Sequence, residues 1–267
     1  MRKFLIVFLA EFRKSKTNYY GSFSNIISLF VWPIIDFFVI YFTYQSFNLE
    51  LLEIYNLKGE KDLFLFLLLG VLAYNSFWCM VQGGIQLQNE RQNGTLEIAF
   101  MSPANRITML YGRSIGGFIH SIWMISIFSI FTFLYILPFS FLYLFKLILV
   151  FGIILISSII WGGFISSIFL ISRDSNILFI ILSSPMNFFS GVSFPIYILP
   201  KFLLLISGIY PLTYLLLIVR NIFLNTGYIK IGLIGFFIMN TIIFLLTKKI
   251  IIFAENTSKE NGNFNLY

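Results

Sequence analysis

Charged residues are scarce in this sequence. Asp, Glu, Lys and Arg make up 11% of its 267 residues, where a soluble domain carries about a quarter. Cysteine occurs once, at Cys79, and histidine once, at His120. A single cysteine excludes an intramolecular disulfide and gives no cysteine metal pattern. A lone histidine makes neither a zinc site nor a catalytic triad. No Gly-x-x-x-x-Gly-Lys-Ser/Thr segment is present, which excludes the usual phosphate loop for ATP. No small-x-small cleavage site follows the short apolar start, so Met1 to Ala10 is not read as a signal peptide. What remains is apolar. Hydrophobic residues make up 58% of the chain, and they lie in runs long enough to cross a bilayer, about 20 residues each.

The net charge of +7 does not point to nucleic acid, because no basic stripe sits on a polar fold. The basic residues flank apolar segments instead, as membrane topology requires. The chain reads as an all-α integral membrane protein with about six transmembrane helices and no sizeable soluble domain.

Residues 1–22 form an N-terminal amphipathic helix. Phe4, Leu5, Phe8, Leu9 and Phe12 recur at helical spacing, with Lys3, Lys14 and Lys16 placed for lipid headgroups. Residues 23–253 hold the spans. The first runs from about Ser24 to Phe47, and a polar loop with Glu50, Glu53 and Lys58 follows. The second is expected from Leu63 to Gln82. A polar stretch, residues 86–106, precedes a third span from Ile107 that ends before Pro138. The fourth covers Phe141 to Ile171. Arg173 and Asp174 connect it to a fifth, Asn176 to Phe189. Residues 190–230 are broken by Gly191, Pro195, Pro200, Gly208 and Pro211 into pieces too short to span, and a re-entrant helical pair is expected there. The sixth span is Ile231 to Phe253, and residues 254–267 form a polar tail. Lys and Arg favour the side of the N-terminus by about two to one, which places both termini in the cytoplasm. Abundant Ile, Phe, Asn and Lys point to an AT-rich bacterial genome, hence a bacterial cytoplasmic (inner) membrane.

The most informative segment is Glu90-Arg91-Gln92-Asn93-Gly94-Thr95-Leu96-Glu97 through Ser102-Pro103. Gly94 permits a tight bend, Thr95 to Met101 suits a short amphipathic helix, and Pro103 stops it. On physical grounds alone it is either an ordinary loop with a helical turn or an element that takes a push from a soluble partner. Asp36, three residues after Pro33, costs about 2.5–3.5 kcal/mol at the centre of a span and must face protein or water. It either lines a polar path, locks two subunits together, or pairs with a neighbour near the span end. His120 reads as a hydrogen-bonded packing residue or, less simply, a proton relay. Gly112 and Gly116 would let helices approach closely. Phe30, Phe37 and Phe188 are candidates to line a central cleft.

The segment resembles the coupling region of type-2 ABC exporter permeases. The matching residues are Glu90, Arg91, Gly94, Thr95, Glu97, Ser102, Pro103, Gly112 and Arg113. Phe189 to Pro195, with Gly191, Phe194 and Pro195, followed by Tyr210-Pro211-Leu212-Thr213, is similar to the re-entrant region of that family. The resemblance implies a permease subunit without an ATPase site of its own. It implies two copies of a partner ABC ATPase that bind ATP and Mg, and a second permease copy or a related permease. It further implies that Glu90 and Arg91 pair with charges on the first helix or the ATPase, and that Arg113 pairs with a carboxylate near the cytoplasmic mouth. The scarcity of intramembrane charge suits a hydrophobic or amphipathic cargo such as a drug, lipid, peptide or lipid-linked glycan. A non-transporting scaffold or immunity subunit is the alternative. An intramembrane enzyme would need a partner for Asp36 or His120 that the sequence does not supply.

Overall fold

Hydrocarbon offers the backbone no water to bond with, so a chain this apolar satisfies its peptide groups inside helices. The computed structural model describes residues 2–20, 23–45, 59–135, 140–172 and 174–261, and every regular element among them is helical. The loop bearing Glu50, Glu53 and Lys58, together with Pro138, Arg173 and residues 262–267, lies outside the described residues. So do the side chains of Lys3, Lys16 and Phe30.

In chain order the helices are α1 (Arg2–Tyr20), α2 (Phe23–Gln45), α3 (Glu60–Gln92), α4 (Thr95–Met101), α5 (Arg106–Ser114), α6 (Phe118–Tyr135), α7 (Phe141–Ile171), α8 (Ser175–Phe189), α9 (Lys201–Ser207), α10 (Pro211–Leu224) and α11 (Ile229–Asn261). A 3-10 turn, Ile115–Gly117, joins α5 to α6.

Among the described residues four helical stretches are long and apolar enough to cross a membrane: Glu60–Gln92, Arg106–Ile130, Phe141–Ile171 and Ile229–Thr257. The pair α9–α10 passes the same test as one unit, but its axes turn by 97°. Thr213 closes that bend by donating to the Ser207 carbonyl at 2.8 Å. The first and fifth spans expected from the sequence correspond to α2 and α8. Helix α8 falls short by length, with 15 residues and about 22 Å of rise, whereas α2 runs for 23 residues and includes the apolar stretch Ile34–Thr43.

Helix α3 differs from expectation in the other direction. It continues ten residues past Gln82, to Gln92, because Gln, Glu and Arg are good helix formers and those at 88, 90 and 91 find partners there. Glu90 and Arg91 therefore end a long helix and precede the short one at Thr95–Met101.

Helix α3 is the centre of the bundle. It is buried along nearly all of its apolar length and packs against α2, α6, α7, α8 and α10. Its closest neighbour is α7, and small residues set that distance. A Cβ on Gly162 would meet the Met80 carbonyl at 2.7 Å, and one on Gly84 would meet the Ser166 hydroxyl at 2.4 Å. Helix α11 packs on α7 and α10, with Ser157 donating to the Asn240 side-chain oxygen at 3.0 Å. Its other face, with Ile231, Ile234, Phe237 and Ile238, is exposed, as a lipid-facing helix requires.

Candidate functional site

Two of the three buried charged residues among those described, Glu90 and Arg113, lie at one end of the bundle, where α1, the end of α3, α4 and α5 meet. Gly112 sets the approach of α1: a Cβ there would sit 3.1 Å from Glu11 and 3.4 Å from the Phe8 backbone. That contact brings Glu11 beside Arg113. The Arg113 Nε meets Glu11 Oε2 at 2.8 Å, and its Nη2 meets Glu90 Oε2 at 3.0 Å. Glu90 Oε1 in turn meets Lys14 Nζ at 2.8 Å. Four charges from α1, α3 and α5 thus form one alternating chain.

Their energies differ. Arg113 is 2% exposed and Glu90 8%, so neither can fall back on water, and removing a partner from such a pair costs about 3–5 kcal/mol. The Lys14 side chain is 37% exposed, which limits its pair to about 0.2–1 kcal/mol. Arg113 holds the cluster together because its planar guanidinium serves two carboxylates at once.

Arg91 goes elsewhere. It donates to the carbonyls of Phe169, Leu170 and Ser172, the groups that the C-terminal end of α7 leaves without intrahelical partners. A cation there also suits the helix dipole. One turn earlier, Gln88 accepts from the Ser175 N–H at 2.8 Å, beside the Asp174 carboxylate that caps Asn176 and Ile177. The last turn of α3 therefore fastens both the end of α7 and the start of α8. Gln88 was not singled out from sequence, because an isolated Gln carries no signal of what it caps.

Gly94 follows with φ 68°, the left-handed region that glycine enters without steric cost. Its turn redirects the chain into α4. Thr95 ties that turn back by donating to the Glu90 carbonyl at 3.2 Å. Within α4, Leu96 and Phe100 are one turn apart and buried against the bundle. Ile98 is 69% exposed and Met101 85%, and Glu97 is also exposed. Ser102 donates to the Ala99 carbonyl at 2.7 Å, Pro103 is exposed at the exit, and Asn105 caps α5 by accepting from Ile107 and Thr108. Arg106 then clamps the far side. It donates to the carbonyls of Phe100, Ser102 and Ala104 and pairs with Glu255 of α11 at 3.1 Å. Helix α4 is thus held at both ends by arginines that reach other helices.

The other predicted residues lie apart. His120 is buried and contacts the Cys79 sulfur through Nδ1, joining α6 to α3. Asp36 is exposed on α2. Asp36, Arg113 and His120 are therefore not one cluster, since each keeps different company. Toward the opposite end, Phe194 packs edge-on to Phe188 with centroids 5.2 Å apart. Pro195 starts a 3-10 turn, and Pro211 is buried at the start of α10. Gly191 adopts φ 69°, and its carbonyl accepts from Arg220 at 2.7 Å. Arg220 also donates to Val192 at 2.6 Å and lies 3.4 Å over the Phe66 ring. Read from sequence only as a flanking charge, it is 6% exposed and pins the chain after α8 onto α3.

A bundle with four helical stretches long and apolar enough to cross a membrane, and a short helix α4 lying at one end of it with an exposed outer face, is that of a multi-pass membrane protein. A family profile for ABC-2 type transporters matches residues 2–224. The chain belongs to that family and is a permease subunit of an ABC transporter. A search of curated proteins returned no match.

Proposed function

We propose that the chain is the membrane-spanning half of an ATP-driven exporter, with α4 as the contact for a separate ATPase. Six spans cross a bacterial inner membrane, α2 and α8 included, and both termini and α4 face the cytoplasm. Two permeases, identical or related, sit on two ATPase subunits that bind ATP and Mg. The cargo is hydrophobic or amphipathic and leaves from the cytoplasm or the inner leaflet.

The observation that carries this reading is the two-sided character of α4. Leu96 and Phe100 root it in the bundle, while Ile98 and Met101 project an apolar ridge away from it. A soluble partner that covers the ridge gains about 25 cal/mol per Å² of apolar area removed from water. A push on α4 then reaches α1 and α5 through Glu90, α7 through Arg91, α8 through Gln88, and α11 through Arg106. Packed elements with discrete ion pairs can carry such coupling.

Deleting Gly94–Glu97 removes the turn and the start of α4 but leaves the buried spans intact. The expected result is normal membrane insertion with at least a tenfold loss of ATPase co-purification, and ATP hydrolysis uncoupled from transport in proteoliposomes. A variant that retains the ATPase and transports normally would remove α4 from the coupling path.

A further inference from the structure

One cavity at the α4 end of the bundle takes no part in the coupling contacts. It lies between α11 and the link from α4 to α5, is half open, and has a volume of about 390 Å³. Ser102, Asn105 and Arg106 line one wall, and Lys248, Ile252 and Glu255 the other. That size falls within the usual range for small-molecule sites. The ridge of Ile98 and Met101 does not line it.

The charge of the cavity is unbalanced. The Arg106 guanidinium spends its donors on three backbone carbonyls and on Glu255, so that cation and that anion offset each other. Among the described residues the Lys248 ammonium meets no carboxylate, and it lies 4.6 Å from the centre of the Phe244 ring. Asn105 gives its side-chain oxygen to the N–H groups of Ile107 and Thr108, which leaves its amide N–H groups as donors. An ammonium and an amide lining one half-open cavity suit an anion with several acceptor oxygens.

The position of Lys248 says which anion. It stands on the stripe of α11 that carries Ile238, Ile242 and Leu245, spaced by three and four residues and all exposed. From Ile238 to Lys248 the helix rises about 15 Å, half of the ~30 Å hydrocarbon core of a bilayer. The apolar stripe therefore has the length of one leaflet and ends at the cavity.

We propose that this cavity binds the phosphate headgroup of an anionic phospholipid, with Lys248 as its counter-ion and the acyl chains along Ile242 and Leu245. Basic pockets between helices at the membrane edge take such headgroups. A zwitterionic lipid brings its own cation and gains less from Lys248. A soluble partner is a poorer occupant, because the stripe that leads into the cavity is apolar and faces lipid. The bound headgroup joins α11 to residues 102–107 and so braces the Arg106–Glu255 pair at the exit of α4. An effect on transport rests on the coupling reading, whereas the binding itself does not.

The test is native mass spectrometry of the full-length chain released from detergent, titrated with dioleoylphosphatidylglycerol or dioleoylphosphatidylcholine. No ATPase is present, so failure of the coupling reading leaves the measurement untouched. Expected are preferential retention of the anionic lipid and roughly fivefold weaker binding by Lys248→Gln, as the loss of one basic contact implies. Lys248→Arg should retain the lipid, Lys249→Gln at the exposed neighbouring position should change little, and millimolar inorganic phosphate should not displace it. Equal affinity for the two lipids overturns the proposal, as does equal binding by wild type and Lys248→Gln. An equal loss from Lys249→Gln would also overturn it, by showing a diffuse basic edge in place of a site. Displacement by inorganic phosphate would assign the cavity to a soluble phosphate compound instead. Unchanged lipid binding by Lys248→Gln, with loss of the ATPase on co-purification, would assign it to the ATPase.

Discussion

Replacing Arg113 with Ala will destabilise the folded protein by about 3–5 kcal/mol, because Glu11 and Glu90 are left facing each other with the buried cation between them removed. In a thermal unfolding scan in detergent this corresponds to a fall on the order of 10 °C. Lys14 compensates little, since it reaches only Glu90 and from a half-exposed position. Arg113→Lys will recover a minor part. A single ammonium cannot reproduce two contacts made from separate nitrogens of one planar group, Nε to Glu11 and Nη2 to Glu90. Adding Glu11→Gln to Arg113→Ala will cost less than the two single losses summed, because the second substitution removes a charge that the first has stranded. Additive losses would mean that the pair does not act as a unit.

Replacing Arg220 with Ala will release the chain after α8. Its charge-assisted bonds to Gly191 and Val192, at 2.7 and 2.6 Å, contribute about 1.5–3 kcal/mol each. Their carbonyls have no water to turn to at this depth. The expected result is a loss on the order of 3 kcal/mol and a rise of at least tenfold in maleimide labelling of a Ser193→Cys reporter. Gly70→Ala should move the same reporter in the same direction, since its Cβ would lie 2.2 Å from the Val192 carbonyl. Unchanged labelling in both would show that this segment is held by something other than Arg220.

The apolar helices were the most legible part of the sequence. The bounds Phe141–Ile171 follow from hydropathy alone and are those of α7. Burial by lipid and burial by protein look alike in composition, so the central place of α3 was not legible. Polar residues hid the length of the same helix. Residues 86–92 read as loop because they are hydrophilic, yet they continue α3 by capping neighbours that lie some eighty positions further along the chain. The 3-10 turn at Ile115–Gly117 lies within a run that hydropathy treats as one span.

The candidate site divides in the same way. The family motif marked Glu90, Arg91 and Arg113 but not their partners. Glu11 and Lys14 lie on α1, where they read as the polar face of an interfacial helix, and nothing local distinguishes a headgroup-facing lysine from one aimed at Glu90. Arg91 was expected to meet charges on α1 or the ATPase. It caps α7 instead, because helix ends attract donors as effectively as carboxylates do. Arg220 counted only toward topology, and its depth became visible once α10 was packed against α3.

The division of labour within residues 88–106 gives the coupling proposal its physical content. Glu90, Arg91 and Arg106 each tie the segment to different helices, so a displacement of α4 strains several contacts together rather than one. The outward ridge of Ile98 and Met101 is the part left uncovered. Amine–thiol crosslinking from that ridge to the ATPase tests this most directly, with Cys79 buried beside His120 and left in place. The account predicts that the Met101→Cys and Ile98→Cys variants crosslink to the ATPase subunit in the assembled complex, while Phe202→Cys on α9 does not. A complex that purifies with its ATPase bound yet gives no crosslink from α4 would contradict it.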